Sequence, residues 1–245
     1  EGDAVNGTKK VVEYLKKRKE KINFCLVGEP TNPNKLGEMI KIGRRGSITG
    51  KIKIIGEQCH VAYQHRGNNP STTLVQILKE IKDIKFDKGT KHFQPTNLEV
   101  TKINIKNDAD NVIPGSAEAT FNIRFNNRHS SNSIKRRLNK IFKKITKKNK
   151  SKFKIDYRVS GEAFLTKPNK TTFMIQNIIK KITKLKPKLS TTGGTSDLRF
   201  IRKISPGLEF GLVGKTMHKV DEAVSLKDLK NLTTIYENIL QNYFK

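Results

Sequence analysis

AEATFNIRF, residues 117–125, reads as a single β-strand. Ala117, Ala119, Phe121, Ile123 and Phe125 alternate with Glu118, Thr120, Asn122 and Arg124, the period-two pattern of a strand with one buried face and one polar face. Working outward, ITGKIKII (48–55) and LEVTKINI (98–105) carry similar β-branched alternation, and FKIDYRV (153–159) puts Phe153, Ile155, Tyr157 and Val159 on one side. Two helical stripes stand between these strands. Leu74, Ile77, Leu78 and Ile81 recur at helical spacing behind Pro70, a residue suited to a first helical turn. Ile134, Leu138, Ile141, Phe142 and Ile145 make the second stripe. The order β-α-β-β-α-β is the ferredoxin-like plan, two helices on one face of an antiparallel sheet. It predicts a complete small domain over residues 46–159. Arg124 then stands on the polar face, where a charged side chain meets either water or a ligand.

The flanks, residues 1–45 and 160–245, read as parts of one α/β layer. A helix from Lys9 to about Lys19 precedes the buried-strand run NFCLV (23–27), which meets the turn GEPTNP. A helix near Phe173–Leu185, the segment STTGGTSDLRF (190–200), the apolar stretch LEFGLV (208–213) and a last helix follow. That helix carries Leu226, Leu229, Leu232, Ile235, Ile239 and Leu240 behind Ser225 and Asp228, which resemble a capping pair. A domain interrupted by a second, complete domain is the simplest account.

The net charge is +28, from 50 Lys and Arg against 22 Asp and Glu. The excess is mostly Lys, spread along the chain without the aromatic platforms or motif spacing of a nucleic-acid surface. A solvated Lys-rich exterior is expected, with no specific nucleic-acid partner. No apolar run is long enough to cross a bilayer, so no membrane partner is expected. Cys25 and Cys59 are the only cysteines and lack the spacing of a metal or redox motif, which points to reduced thiols and a cytoplasmic setting.

Candidate chemistry is sparse on spacing alone. Glu29 follows a buried strand, where open α/β sheets place ligands. His218 lies among acidic residues in GKTMHKVDEAV (214–224), and imidazole with carboxylate suits zinc, although no compact metal signature is present. TTGGTSD (191–197) lacks the lysine of a phosphate loop. Ser196, Asp197 and His218 can be assembled into a hydrolase triad, but no nucleophile elbow supports one. His60 reads first as a loop histidine bonded locally.

In combination, VGEPT, IKIGRRGSITGKIKIIGEQCHVAYQH, NVIPG, FNIRF, TTGGTSDLRFI and GKTMHKVDE resemble the succinyl-diaminopimelate desuccinylases, in order and near spacing, over essentially the whole chain. These are bacterial members of the di-zinc amidohydrolase and aminoacylase-type peptidase family. The resemblance implies an α/β catalytic domain interrupted by a ferredoxin-like lid that forms a homodimer interface. It implies hydrolysis of N-succinyl-LL-2,6-diaminopimelate, a small-molecule substrate, to succinate and LL-2,6-diaminopimelate for lysine and cell-wall synthesis. A related zinc-dependent N-acyl-amino-acid deacylase and a non-catalytic dimerising remnant are the alternatives.

By the same resemblance Glu29 binds one zinc, and His218 with Glu1 binds the other, where Co2+ is also expected. His60 supports the oxyanion in the partner subunit's site. Arg44, Ser47, Tyr63, Asn111, Arg124, Gly194 and Thr195 surround the substrate, with Arg124 on the succinyl carboxylate. Gly214 and Asp110 replace asparagines found in other members. The family's His-x-Asp segment, bridging Asp and catalytic Glu are expected before Glu1, so this chain alone is expected to be inactive.

Overall fold

A computed structural model describes residues 7–194 and 196–245; Glu1 and Thr195 lie outside the described residues. In chain order the elements begin with α1 (Thr8–Lys17), β1 (Cys25–Val27), β2 (Met39–Lys41), β3 (Gly43–Arg44), β4 (Gly46–Ile55) and β5 (Cys59–His60). A short 3-10 turn (Val61–Arg66) leads to α2 (Pro70–Lys82), β6 (Asn97–Asn104), β7 (Val112–Ile113), β8 (Ser116–Phe125), α3 (Ser131–Lys148) and β9 (Lys152–Gly161). Then come β10 (Phe164–Leu165), α4 (Lys170–Thr183), β11 (Lys188–Ser190), α5 (Leu198–Ile201), β12 (Gly207–Glu209) and α6 (Leu226–Tyr243). The chain divides into two compact units, residues 1–44 with 164–245, and residues 45–163.

The inserted unit is built on the antiparallel sheet β6-β8-β4-β9. Its central strand β4 pairs with β8 from Gly46↔Phe125 to Ile55↔Ser116 and with β9 on its other side. This is the strand order of a ferredoxin-like sheet. Ile48, Ile52 and Ile54 of β4 share a core with Phe121, Ile123 and Phe125 of β8, and Leu74, Ile77, Leu138 and Phe142 of the two helices close it. Asn69 starts α2 by accepting the amide of Ser71 at 2.9 Å, with Pro70 in the first turn, where its missing N–H costs nothing. Ser130 and Ser133 form a reciprocal capping box on α3.

The flanking unit carries a mixed sheet in the order β1-β12-β2-β11. β1 runs parallel to β12, and β2 parallel to β11, while β12 and β2 meet antiparallel at Glu209↔Lys41. Ile40, Ile42, Ile175, Ile179, Leu208, Phe210, Leu232 and Ile235 make its core, with α4 and α6 covering the sheet. Ser225 caps α6 by accepting the Asp228 amide at 3.3 Å. Among the described residues no helix is long and apolar enough to cross a membrane. Cys25 and Cys59 are both free thiols.

Candidate functional site

A cavity of about 350 Å³ opens in the flanking unit, lined by Glu29, Lys41, Arg44, Gly194, Met217 and His218 among others. Glu29 arrives two residues beyond β1, at the carboxyl end of that strand. Its backbone is approached closely by Gly211, where a Cβ would come within 2.5 Å of the Glu29 carbonyl oxygen, so only glycine permits that contact. The buried Asn32 ties the turn after Glu29 to both neighbours: its Nδ2 donates to the Gly211 carbonyl at 2.7 Å, and its Oδ1 accepts from the Met39 amide at 2.9 Å. Its carbonyl also accepts the Gly214 amide at 2.9 Å, at the root of the loop that carries His218. Across that loop Thr216 Oγ1 donates to the Ala223 carbonyl at 2.8 Å and accepts the Ala223 amide at 3.0 Å. His218 itself has φ 62°, a left-handed backbone uncommon for histidine that the clamped loop holds in place.

Two cations also line the cavity, Lys41 and Arg44. Arg44 is buried, and its Nε donates to Glu209 Oε2 at 2.9 Å while Nη2 donates to the same oxygen. Nη1 donates to the Thr192 carbonyl at 3.2 Å. The Ser196 hydroxyl also donates to Glu209. Lys41 Nζ donates to Thr192 Oγ1 at 2.8 Å. Burial, followed by repulsion from Arg44, pulls the Lys41 pKa down to about 8 against the opposing attraction of Glu209. Of the imagined triad, the Ser196 hydroxyl is given to Glu209, and Asp197 Oδ2 accepts from the Thr8 hydroxyl at 2.6 Å.

The remaining expected residues lie in the inserted unit, in two groups. His60 ends β5, where its Nδ1 accepts the Ala62 amide at 3.1 Å, which in neutral imidazole leaves the proton on Nε2. That Nε2 is 3.5 Å from the Asn111 side-chain amide, and the Tyr63 ring centroid is 5.9 Å from the imidazole's. Ser47 and Arg124 are directly opposite each other on β4 and β8. Arg124 Nε donates to Asn122 Oδ1 at 3.0 Å, and Asn122 Nδ2 donates to Thr49 Oγ1 at 2.9 Å, a polar row on the face away from the core.

Glu29 and His218 offer a carboxylate and an imidazole to one cavity, donors that a zinc ion accepts. Among the described residues no group of three or more His, Cys, Asp or Glu side chains gathers to hold a metal. The pair therefore fits as part of a metal site. Asn32, Lys41 and Glu209 were missed by sequence reading: Asn32 looks like an ordinary turn residue, and Glu209 is 165 residues from the guanidinium it binds.

Residues 42–150 match the family described as the peptidase dimerisation domain. The chain is 80% identical over 244 residues to a succinyl-diaminopimelate desuccinylase of Pelagibacter ubique, covering all of this chain and 64% of that one. The succinyl-diaminopimelate desuccinylase of Parvibaculum lavamentivorans is 47% identical over 244 residues, with 62% of its length covered. The chain thus spans less than two thirds of the length of these relatives. Among solved structures, the aminopeptidase PepT from Bacillus cereus matches with a TM-score of 0.80 at 14% identity, covering 98% of this chain and 62% of that one. An M20 family metallo-carboxypeptidase from Sulfolobus solfataricus matches with a TM-score of 0.69 at 14% identity, covering 95% of this chain and 67% of that one. At such identity these structures speak for the α/β fold of the M20 peptidases. Over its whole length the chain is thus similar to the matching part of succinyl-diaminopimelate desuccinylases, and residues 42–150 to the peptidase dimerisation domain.

Proposed function

We propose that the protein hydrolyses the amide of N-succinyl-LL-2,6-diaminopimelate, adding water to give succinate and LL-2,6-diaminopimelate. The observation that carries this reading is that Glu29 and His218 line one cavity together with the cationic pair Lys41 and Arg44. A carboxylate-bearing substrate suits that pair, and two metal-capable side chains suit amide hydrolysis. In the proposal Glu29 belongs to one zinc, and His218 with Glu1 to a second position that takes zinc or cobalt. The metals, when bound, polarise the amide carbonyl and acidify the attacking water.

This chain's own residues bind, orient and stabilise. Lys41 and Arg44 present N–H donors to an anionic group of the substrate. Gly194, which lines the same cavity, and Thr195, outside the described residues, also belong to the substrate's surroundings in this proposal. Arg124, with Ser47 opposite, takes the succinyl carboxylate in its planar fork. Tyr63 and Asn111 complete the substrate's surroundings. His60 of the partner subunit donates its Nε2 proton as a hydrogen bond to the developing oxyanion, the task its fixed tautomer allows. The inserted unit is the homodimer interface in this proposal, and two free thiols support a reducing, cytoplasmic setting.

The test is succinate release by the full-length protein carrying this chain, followed by NMR with and without added zinc. Zinc-dependent release from the succinyl substrate, with slower turnover of N-acetyl amino acids, is the expected result. Faster turnover of N-acetyl substrates would favour a general deacylase, and no turnover of either would overturn the reading.

A further inference from the structure

Glu209 is fully buried on β12, opposite Lys41 of β2 and in register with Val27, two residues before Glu29. A carboxylate withdrawn from water needs its charge compensated and its lone pairs filled. Here one guanidinium and one hydroxyl do both, drawn from distant parts of the chain: Arg44 from β3 and Ser196 from the segment before α5. A guanidinium has five N–H donors. Arg44 commits one from Nε and one from Nη2 to Glu209, and one from Nη1 to the Thr192 carbonyl. Among the described residues two N–H groups are thus left over, on a side chain that lines the cavity. The Thr192 segment also lies against this guanidinium: Gly193 has φ 99°, and a Cβ there would come within 2.5 Å of Arg44 Nη1.

We infer that Glu209 is the positioning residue of this cavity, fixing Arg44 and the segment anchored by Ser196 as one preset wall whose two uncommitted N–H groups receive an anionic group of the substrate. The inference rests on the proposed hydrolysis of an anionic acyl-amino acid. Without Glu209 the guanidinium keeps its charge but loses its aim, so binding suffers more than chemistry does. The carboxylate touches no substrate and acts only through Arg44 and Ser196. The neighbouring Lys41 donates to the Thr192 hydroxyl at 2.8 Å and gives the cavity a second cation.

The experiment uses the full-length, zinc-loaded protein. In the wild type labelled with 15N-arginine, the Arg44 Nε–H signal, assigned by its loss in Arg44→Lys, is expected to exchange slowly with solvent, and in Glu209→Gln to exchange fast. On the succinyl substrate, Glu209→Gln raises KM roughly 10- to 100-fold with a smaller change in kcat, the scale expected when a binding group is misplaced. Ser196→Ala, a milder change that keeps the ion pair, raises KM about threefold to tenfold. The double variant Glu209→Gln/Arg44→Lys is no worse than the poorer single variant, because both act through one guanidinium. Losses that multiply in the double variant, or an unchanged KM in a folded Glu209→Gln protein, overturn the inference. A rapidly exchanging Arg44 Nε–H in the wild type overturns it without any variant. If the wild type leaves the succinyl substrate untouched, the functional reading falls, and the exchange measurement still decides the positioning role.

Discussion

Asp87 and Glu209 are carboxylates withdrawn from water, with side chains 5% and 0% exposed, and they are compensated in opposite ways. Asp87, in the inserted unit, collects amide donors, from Gly89 at 2.6 Å, the Asn126 side chain at 2.6 Å and Thr96 at 3.3 Å, and pairs with His129 Nε2 at 3.0 Å. Together they knot the segment between α2 and β6 against the end of β8. Burial alone would push the Asp87 pKa up, but the hydrogen bonds from Thr96, Gly89 and Asn126 outweigh it and bring the value to about 2. Glu209 instead takes a full positive charge and a hydroxyl, beside a cavity, from a guanidinium with donors to spare. A carboxylate surrounded by amide donors closes a loop. One that holds a cation at a cavity wall shapes a site.

The sharpest way to break this contrast is truncation. Glu209→Ala strands a buried guanidinium and is expected to cost about 3–5 kcal/mol in urea unfolding, together with the loss of substrate binding. Asp87→Ala leaves its amide donors unpaired and is expected to cost about 1–3 kcal/mol, with KM unchanged in the folded protein. An Asp87→Ala protein with raised KM, or a Glu209→Ala protein of wild-type stability, would erase the distinction.

Acid separates them next. The Asp87 pKa is lowered by folding, so its contribution is fully present above the ordinary carboxylate range and is lost as pH falls through about 2. Thermal midpoints of the wild type are expected to fall between about pH 4 and pH 2, and Asp87→Asn to lose part of that slope. Equal slopes in the two proteins would remove Asp87 from the account.

The smallest effect belongs to Lys41. Folding lowers its pKa to about 8, so the buried charge costs stability at lower pH and that cost is relieved as pH rises from about 8 towards the ordinary lysine value. The cavity loses the cation as pH rises through about 8. KM for the anionic substrate is expected to rise a few-fold, on the order of 3- to 10-fold, between pH 7 and pH 9, and Lys41→Arg to flatten the rise. A wild-type KM independent of pH there would show that Lys41 does not face the substrate.

The inserted unit was largely legible because its strands are long enough to display a period. β8 spans Ser116–Phe125 and alternates throughout, and α2 begins at Pro70, the residue that signals its start. β2 and β11 have three residues each, too few for any periodicity, and they went unread. LEFGLV looked like a plain apolar stretch, so its one carboxylate drew no notice, although its strand supplies the buried anchor for Arg44. Sequence spacing alone left Glu29 and His218 as weak candidates, since residues 189 positions apart form no local pattern, and the resemblance singled them out. Their common cavity comes from Asn32 and Gly211, whose contacts are matters of backbone approach that no side-chain motif announces.

The central claim is that this cavity is a metal-dependent hydrolytic centre. Zinc bound per chain, measured by atomic emission on the full-length protein and on Glu29→Gln and His218→Ala, tests it most directly. The account predicts about two zinc ions in the wild type, falling towards one in either variant, with succinate release abolished in step. Zinc content unchanged in both variants would contradict it.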